Sequence, residues 1–295
     1  MITKIIKKIQ KILQIDKILK NQNEIKIALG LHNFANRNNL KKNINDFEFK
    51  IFSQYGDDGI INYIISNINL YNKKFIEFGV ENYEESNTRF LLEGCGWSGL
   101  ILDSSIININ YIKSQSYYWK YDLKVENKLV TKKNINQILL SSDFTGKIDL
   151  LSIDIDGNDY WIWNEIKVID PSIVIIEYNA RLGNRESKTI PYEENFNRNK
   201  SNNSNIYYGA SLMALYKLGK KRGYSLVATN SNGNNAYFIK NKLIPRDNKF
   251  LKPKKPHECY NINTFKELRD NKNSLLFLSH KEEFKILKKK KYVQI

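Results

Sequence analysis

Short apolar runs alternate with helix-like segments over residues 47–242, and each run has the length of a strand. The predicted strands are Lys74–Gly79, Ser98–Asp103, Tyr117–Asp122, Ile148–Asp154, Ser172–Glu177, Ser225–Thr229 and Ala236–Lys240. Apolar strands that alternate with helices indicate an α/β fold with a mostly parallel sheet covered on both faces. An asparagine- and glycine-rich turn joins the last two strands, which predicts an antiparallel pair at the sheet edge.

The two ends of the chain differ from this central region. Residues 1–46 are predicted to form a basic amphipathic helical arm, Met1–Lys20, followed by a polar connector, because isoleucines and leucines recur there at helical spacing between lysines. The arm fits packing on the domain or on a second copy of the chain in a homo-oligomer, and at most a peripheral membrane contact. Residues 243–295 are predicted to form a basic tail with a helix over Lys281–Lys288, packed on the domain or on a partner subunit.

Composition excludes several classes of protein. The chain is 41% hydrophobic and 26% charged, which is typical of globular domains. No apolar run approaches the roughly 20 residues of a membrane-spanning helix. Two cysteines are too few for a disulfide framework, and the first residues lack the pattern of a cleaved leader, so we expect a cytoplasmic protein. The net charge of +16 is spread along the chain and favours anionic partners only weakly.

Acidic side chains stand at the ends of the first five predicted strands. They are Glu77, Asp103, Asp122, Asp154 with Asp156, and Glu177. Because the carboxyl ends of parallel strands meet at one edge of the sheet, where ligands bind in such folds, we expect these side chains around one pocket. Packing does not require a carboxylate at five successive strand ends, so the pattern indicates function.

The first two strand ends suit a nucleoside. Asp103 follows Gly79 at a distance that suits hydrogen bonds to the two hydroxyls of a ribose, although a helix cap is the alternative. The turn after Glu77 has too few glycines for a pyrophosphate-binding fingerprint. A nucleoside cofactor without a pyrophosphate, such as S-adenosylmethionine, fits both features.

A second acidic segment follows the fourth predicted strand. Its residues Asp154 and Asp156, together with Glu177 and Asn179 from the next strand end, offer the carboxylate and amide oxygens that a hard cation such as Mg²⁺ binds. The tentative metal ligands are Asp154, Glu177 and Asn179. One buried aspartate with helix-capping neighbours fits the same pattern. The preceding strand excludes an EF-hand.

Several segments together resemble the FkbM-related class I S-adenosylmethionine-dependent methyltransferases. They are Phe52–Ile61, Phe75–Leu92, Gly96–Asp103, Asp149–Trp163, Val174–Asn179 and Tyr208–Leu218. The resemblance implies a Rossmann-like seven-stranded sheet, mostly parallel, with an antiparallel last strand. It implies that the cofactor lies across Glu77, Gly79, Asn82 and Asp103, with Asp122 near the adenine, and that the acceptor faces Asp154, Asp156 and Glu177. This chain departs from its relatives at Asn82–Tyr83, where they usually carry a glycine.

Other segments supply further candidates. Gln54 can reach the cofactor if its segment folds back as a cap, and the free N–H groups near Asn87 suit an anionic carboxylate. The long insertion after the fifth strand is predicted to cover the acceptor. Within it, Arg185, Tyr192 and Tyr208 are the predicted substrate-binding residues, because arginines hold phosphates and tyrosines stack on sugar rings.

These inferences predict an S-adenosylmethionine-dependent O-methyltransferase. Its acceptor, implied only by the resemblance, is a sugar, sugar nucleotide or related surface-polysaccharide precursor. Asp154 and Asp156 are the predicted catalytic residues, because no histidine lies near the motifs. The alternatives are a phosphoryl-group O-methyltransferase and a non-catalytic anion-binding protein on the same fold. No Asn/Asp-Pro-Pro-Tyr motif follows the fourth strand, so a nucleic-acid substrate is not expected.

Overall fold

A computed structural model describes residues 8, 22–32, 41–201, 205–263, 268–270 and 274–295. The strands are β1 (Lys74–Phe78), β2 (Ser98–Asp103), β3 (Leu123–Asn127), β4 (Gly146–Ile153), β5 (Ile169–Glu177), β6 (Lys188–Thr189), β7 (Tyr224–Thr229), β8 (Asn235–Lys240), β9 (Leu268–Arg269), β10 (Leu275–Leu276) and β11 (Val293–Gln294). Seven of them form one sheet in the order β3-β2-β1-β4-β5-β8-β7. Strands β1 to β5 are parallel, and β8 is antiparallel to both β5 and β7. The predicted fold class is confirmed.

Helices cover both faces of this sheet. They are α1 (Asp57–Ile65), α2 (Arg89–Cys95), α3 (Ile106–Ser114), α4 (Ser116–Lys120), α5 (Ile135–Ser141), α6 (Asp159–Glu165), α7 (Arg198–Ser201), α8 (Leu212–Lys221), α9 (Pro256–Cys259) and α10 (His280–Leu287), with 3₁₀ turns at Ile44–Phe47, Ala180–Leu182 and Asn241–Leu243. Successive β1 residues point to opposite faces: Ile76 packs in one core with Trp163, and Phe75 packs in the other with Ile60 and Leu91. The apolar strands are therefore buried on both sides.

The third predicted strand, Tyr117–Asp122, is wrong. Residues Ser116–Lys120 form α4, and the strand begins at Leu123. Tyrosine and tryptophan favour strands, which explains the error. In the structure, however, Tyr117 packs against Tyr83 with ring centroids 5.8 Å apart, while Trp119 is 73% exposed. One buried aromatic on a single helical turn is sufficient to anchor this segment.

The tail lies on the domain. Strand β11 pairs with β6, the Ile295 amide donates to the Ser187 carbonyl at 2.8 Å, and Leu251 is buried in the sheet core. The predicted helix over Lys281–Lys288 corresponds to α10. Apart from Lys8, the predicted arm lies outside the described residues, so its roles in oligomerisation or membrane contact stay predictions. Within the described part of the chain, no helix has the length and hydrophobicity needed to span a bilayer.

Candidate active site

Two adjoining cavities open at the carboxyl edge of the sheet. The first cavity has a volume of about 340 Å³ and the second about 230 Å³. Both are lined by Gly79, Glu81, Asp154, Asp156 and Arg198, so they form one cleft with two lobes. A cleft beyond the carboxyl ends of β1, β2, β4 and β5 is where this fold binds ligands.

Gly79 brings the ends of three strands together. Its amide donates to the Leu102 carbonyl at 3.0 Å, and the Asp154 amide donates to the Phe78 carbonyl at 3.2 Å. Gly79 has a φ of +75°, and a Cβ at this position would lie 1.7 Å from the Asp154 carbonyl oxygen. Only glycine fits this left-handed turn at such a close backbone approach. The positive φ and the nearby Asp154 carbonyl together explain why the sequence has glycine at position 79.

Glu77 is fixed inside the wall of the first cavity. Its Oε2 accepts hydrogen bonds from the hydroxyls of Ser86 and Thr88, both at 2.6 Å, and its Oε1 accepts from the Asn87 amide at 3.0 Å. The Asn87 side chain in turn donates to the Ser152 hydroxyl at 3.2 Å. Burial raises the pKa of Glu77. Glu77 thus holds the turn before α2 in place, and Glu77 and Asn87 both line the cavity.

The loop after Gly79 takes a left-handed conformation without glycine. Tyr83 has a φ of 63° and Glu81 a φ of 47°. Such a conformation costs a non-glycine residue about 1–2 kcal/mol. The buried Tyr83 ring and its hydroxyl, 2.9 Å from the Thr88 hydroxyl, stabilise the loop where relatives usually carry a glycine. The Asn82 side chain accepts from the Glu84 amide at 3.1 Å, and Asn82 lines neither cavity, so its cofactor contact stays a prediction.

Asp103 lies in the second cavity, as the sequence predicts. Its Oδ2 accepts from the Glu81 amide at 2.9 Å. Its Oδ1 accepts from the Ser105 amide at 2.8 Å and from the Asn108 side chain at 3.3 Å, so the carboxylate is fixed and Oδ2 keeps the more open lone pair. Leu129 and Val130, just after β3, add an apolar wall to the same cavity. Sequence reasoning missed these two residues because it placed the third strand too early.

Asp122 lies at the opposite edge of the sheet, and its predicted place near the adenine is wrong. It is exposed and precedes β3, and its carbonyl accepts from the Gly99 amide at 2.9 Å near the start of β2. A residue at the amino end of a parallel strand cannot reach the carboxyl edge. The error arises because the third strand begins at Leu123 and not at Tyr117.

Three carboxylates meet where the two cavities join. Asp154, Asp159 and Glu177 each place one oxygen within 4.8 Å of the others. Asp159 accepts from the amides of Ile155 and Gly157 at 2.8 and 2.9 Å. Glu177 is 5% exposed, and its Oε2 has no hydrogen-bond partner among the described residues. Burial is the first cause that raises the pKa of Asp154 and of Glu177 well above the ordinary range. The negative charges of Asp156 and Asp159 add to the effect for Asp154, and that of Asp154 adds to it for Glu177.

Arg198 supplies the positive charge in this cluster. Its Nη1 donates to Asp156 Oδ1 at 2.5 Å and lies 3.9 Å from Glu177 Oε1. The guanidinium carbon lies 3.8 Å from the ring centroid of Tyr208, which lines the first cavity as predicted. Sequence reasoning chose Arg185 instead, because periodicity does not reveal the path of a long insertion.

Three other predicted site residues do not line the cleft. Arg185 is exposed outside both cavities. The Tyr192 hydroxyl accepts from the Lys132 amide at 3.2 Å, and Tyr192 lines neither cavity. The Asn179 side chain fixes the insertion, because its Nδ2 donates to the carbonyls of Ile206 and Tyr208 at 2.9 and 3.0 Å and its Oδ1 accepts from the Arg181 amide at 3.1 Å. Gln54, by contrast, lines the first cavity as expected.

Comparison with known proteins gives one family match and several structural likenesses. A family model described as "Methyltransferase FkbM domain" matches residues 32–226. An O-methyltransferase from Bacillus cereus in complex with SAH is 15% identical, with 74% of this chain and 89% of that chain covered and a TM-score of 0.42. An S-adenosylmethionine-dependent methyltransferase from Clostridium acetobutylicum is 13% identical, with 62% and 89% covered and a TM-score of 0.40.

Because their sequence identities and TM-scores are low, these two structures give no information about the substrate of this chain. No curated protein matches the sequence. The family match covers more than half of the chain and spans the strand ends that form the cleft. The chain therefore belongs to the FkbM methyltransferase domain family and is a methyltransferase.

Proposed function

We propose that this methyltransferase acts on an oxygen of a sugar, sugar nucleotide or related surface-polysaccharide precursor. The observation that supports an oxygen acceptor is the group of carboxylates at the junction of the two cavities, where a hydroxyl proton can be accepted. The family resemblance is the support for the sugar. Sugar-nucleotide precursors suit the cytoplasmic location expected from the sequence.

The proposed methyl donor, S-adenosylmethionine, fits the second cavity and the junction of the two cavities. Asp103 is placed to accept hydrogen bonds from the ribose hydroxyls, and Leu129 and Val130 offer an apolar surface to the adenine. The methionine end would then cross Gly79 towards the first cavity. This direction brings the sulfonium, which carries a positive charge, near Asp154 and Glu177, whose negative charges favour it.

The chemistry needs a base and good alignment. The acceptor oxygen attacks the methyl carbon, the C–O bond forms as the C–S bond breaks, and the electron pair stays on sulfur to give S-adenosylhomocysteine. The acceptor proton passes to the Asp154 carboxylate. Asp156, the other predicted catalytic residue, has one oxygen already engaged in the ion pair with Arg198. Alignment of donor and acceptor supplies much of the remaining barrier reduction.

The predicted magnesium site does not fit the residues present. Asn179 Oδ1, the atom that a cation would bind, already accepts from the Arg181 amide at 3.1 Å, and both Asp159 oxygens accept amide hydrogens. The Arg198 guanidinium, 3.9 Å from Glu177, holds positive charge where the metal would bind and would repel a divalent cation. We therefore propose that Arg198, and not Mg²⁺, balances these carboxylates.

The experiment that tests the function is turnover with candidate acceptors. Purified protein is incubated with S-adenosylmethionine and a panel of nucleotide sugars and polysaccharide precursors, and S-adenosylhomocysteine is measured. We expect acceptor-dependent turnover that Asp103→Ala abolishes. Turnover restricted to phosphoryl acceptors would support the phosphoryl alternative. Donor binding without turnover on any acceptor would favour the non-catalytic one.

A further inference from the structure

Four asparagines form an amide wall of the first cavity. Asn232 and Asn234 come from the β7–β8 turn, Asn235 begins β8, and Asn263 follows α9. All four lie beyond residue 226, where the family match ends, whereas the residues that would hold the donor lie within it. We infer that this amide wall positions the acceptor and selects an uncharged group with several hydroxyls, such as the sugar ring of the proposed acceptors. The inference rests on the proposed function.

Two residues that line the cavity each have a buried acceptor atom without a partner among the described residues. Asn235 is 4% exposed, and its Oδ1 has no hydrogen-bond donor among the described residues, as is true of Glu177 Oε2. Asn235 and Glu177 are partners across the β5–β8 ladder, and both line the first cavity. A buried acceptor without a partner loses free energy of about 1–3 kcal/mol, so a ligand that donates hydrogens here gains affinity. A polyhydroxyl compound supplies such donors.

The orientation of the Asn235 amide is fixed by its surroundings. Its Nδ2 donates to Asp57 Oδ1 at 2.9 Å, and reversing the amide would place an oxygen against that carboxyl. Asn230 donates to the same Asp57 oxygen at 3.0 Å and to Asn234 Oδ1 at 2.7 Å. The turn is therefore held rigidly before any acceptor binds, which favours specific recognition.

The tail holds the turn from the other side. Gly233 has a φ of +76°, and a Cβ at this position would lie 2.6 Å from the Asn261 carbonyl oxygen. The Asn261 side chain donates to the Asn230 carbonyl at 3.0 Å. The same tail segment, which lies outside the family match, places Asn263 at the cavity two residues after Asn261. The tail thus contributes to the acceptor side of the cleft.

The charge of the first cavity argues against a phosphate at this wall. Its lining includes six carboxylates, Glu77, Glu81, Glu85, Asp154, Asp156 and Glu177. Among the described lining residues, Arg198 is the one positive group, and it is already bonded to Asp156. A phosphate dianion here would face uncompensated like charges, which is strongly unfavourable. Amide groups, in contrast, pair with hydroxyls at no electrostatic penalty.

The test uses binding of stated probes to the full-length protein loaded with S-adenosylhomocysteine. The probes are a panel of methyl glycosides and the corresponding glycosyl 1-phosphates, titrated by calorimetry. We expect at least one methyl glycoside to bind more tightly than its 1-phosphate. Asn235→Ala and Asn263→Ala should each weaken that binding by about tenfold, the effect of one lost hydrogen bond. The matched control Asn241→Ala, at the exposed far end of β8, should leave binding unchanged.

The outcomes separate this inference from the proposed function. Tighter binding of the 1-phosphates, no binding of any methyl glycoside, or equal binding by wild type and both variants overturns the inference. The affinity for S-adenosylmethionine is measured on the same protein preparations. Failure of the wild-type protein to bind it would contradict the proposed function instead. Asn263→Ala does not touch Asp57, so it keeps the test valid if Asn235→Ala fails to fold.

Discussion

Replacing Gly79 by alanine would place a methyl group where the backbone leaves no room. The left-handed φ of +75° alone costs an alanine about 1–2 kcal/mol. The new Cβ would also lie 1.7 Å from the Asp154 carbonyl oxygen, so the ends of β1 and β4 must move apart by more than an ångström. Overpacking of this kind costs about 1–3 kcal/mol. The free energy of unfolding should therefore fall by about 2–5 kcal/mol.

Gly146→Ala is the matched control for this change. Gly146 has a φ of +69°, but a Cβ added there would have no atom within 4 Å, so only the conformational cost of about 1–2 kcal/mol applies. Urea unfolding measures both variants, and calorimetry measures their affinity for S-adenosylmethionine. Equal losses of stability in the two variants, or wild-type donor affinity in Gly79→Ala, would refute the role assigned to this turn.

The remaining predictions concern the donor, the base and the metal. Asp103→Ala should weaken S-adenosylmethionine binding by at least about tenfold in a folded protein, whereas Asp122→Ala should not; equal effects in calorimetry would contradict the assignment of the second cavity. Because burial raises the pKa of Asp154 and Glu177, the ionised base forms only at higher pH, so kcat should increase with pH and reach a plateau. A kcat that is flat from about pH 5 to about pH 9, or one that falls, contradicts this base. Dialysis against a chelator should leave kcat unchanged; a loss that Mg²⁺ restores would show that Arg198 does not replace a metal.

The strands and most strand-end carboxylates could be predicted from sequence because burial on both faces leaves uninterrupted apolar runs. Glu77, Asp103, Asp154 and Glu177 follow such runs, and the structure brings them to the cleft. The prediction failed at Asp122 because aromatic residues on a short helix have the composition of a strand. Because the predicted strand began a few residues too early, Asp122 was assigned to the wrong edge of the sheet.

Residues whose roles depend on long-range contacts could not be predicted. Arg198 enters the cleft from an insertion without periodicity, where Arg185 was an equal choice. Asn179 follows β5 as a metal ligand would, but its Oδ1 accepts from the Arg181 amide and its Nδ2 donates to two backbone carbonyls. The orientation of the Asn235 side-chain amide depends on its hydrogen bond to Asp57, which is distant in the sequence. Only the folded structure reveals which polar groups are already paired.

A crystal structure of the protein with S-adenosylhomocysteine tests the central claim most directly. The account predicts ribose hydroxyls on the Asp103 carboxylate, the adenine against Leu129 and Val130, and the sulfur beside Gly79 with Asp154 nearby. Density for the ligand at any other surface, with Asp103 untouched, would contradict the account.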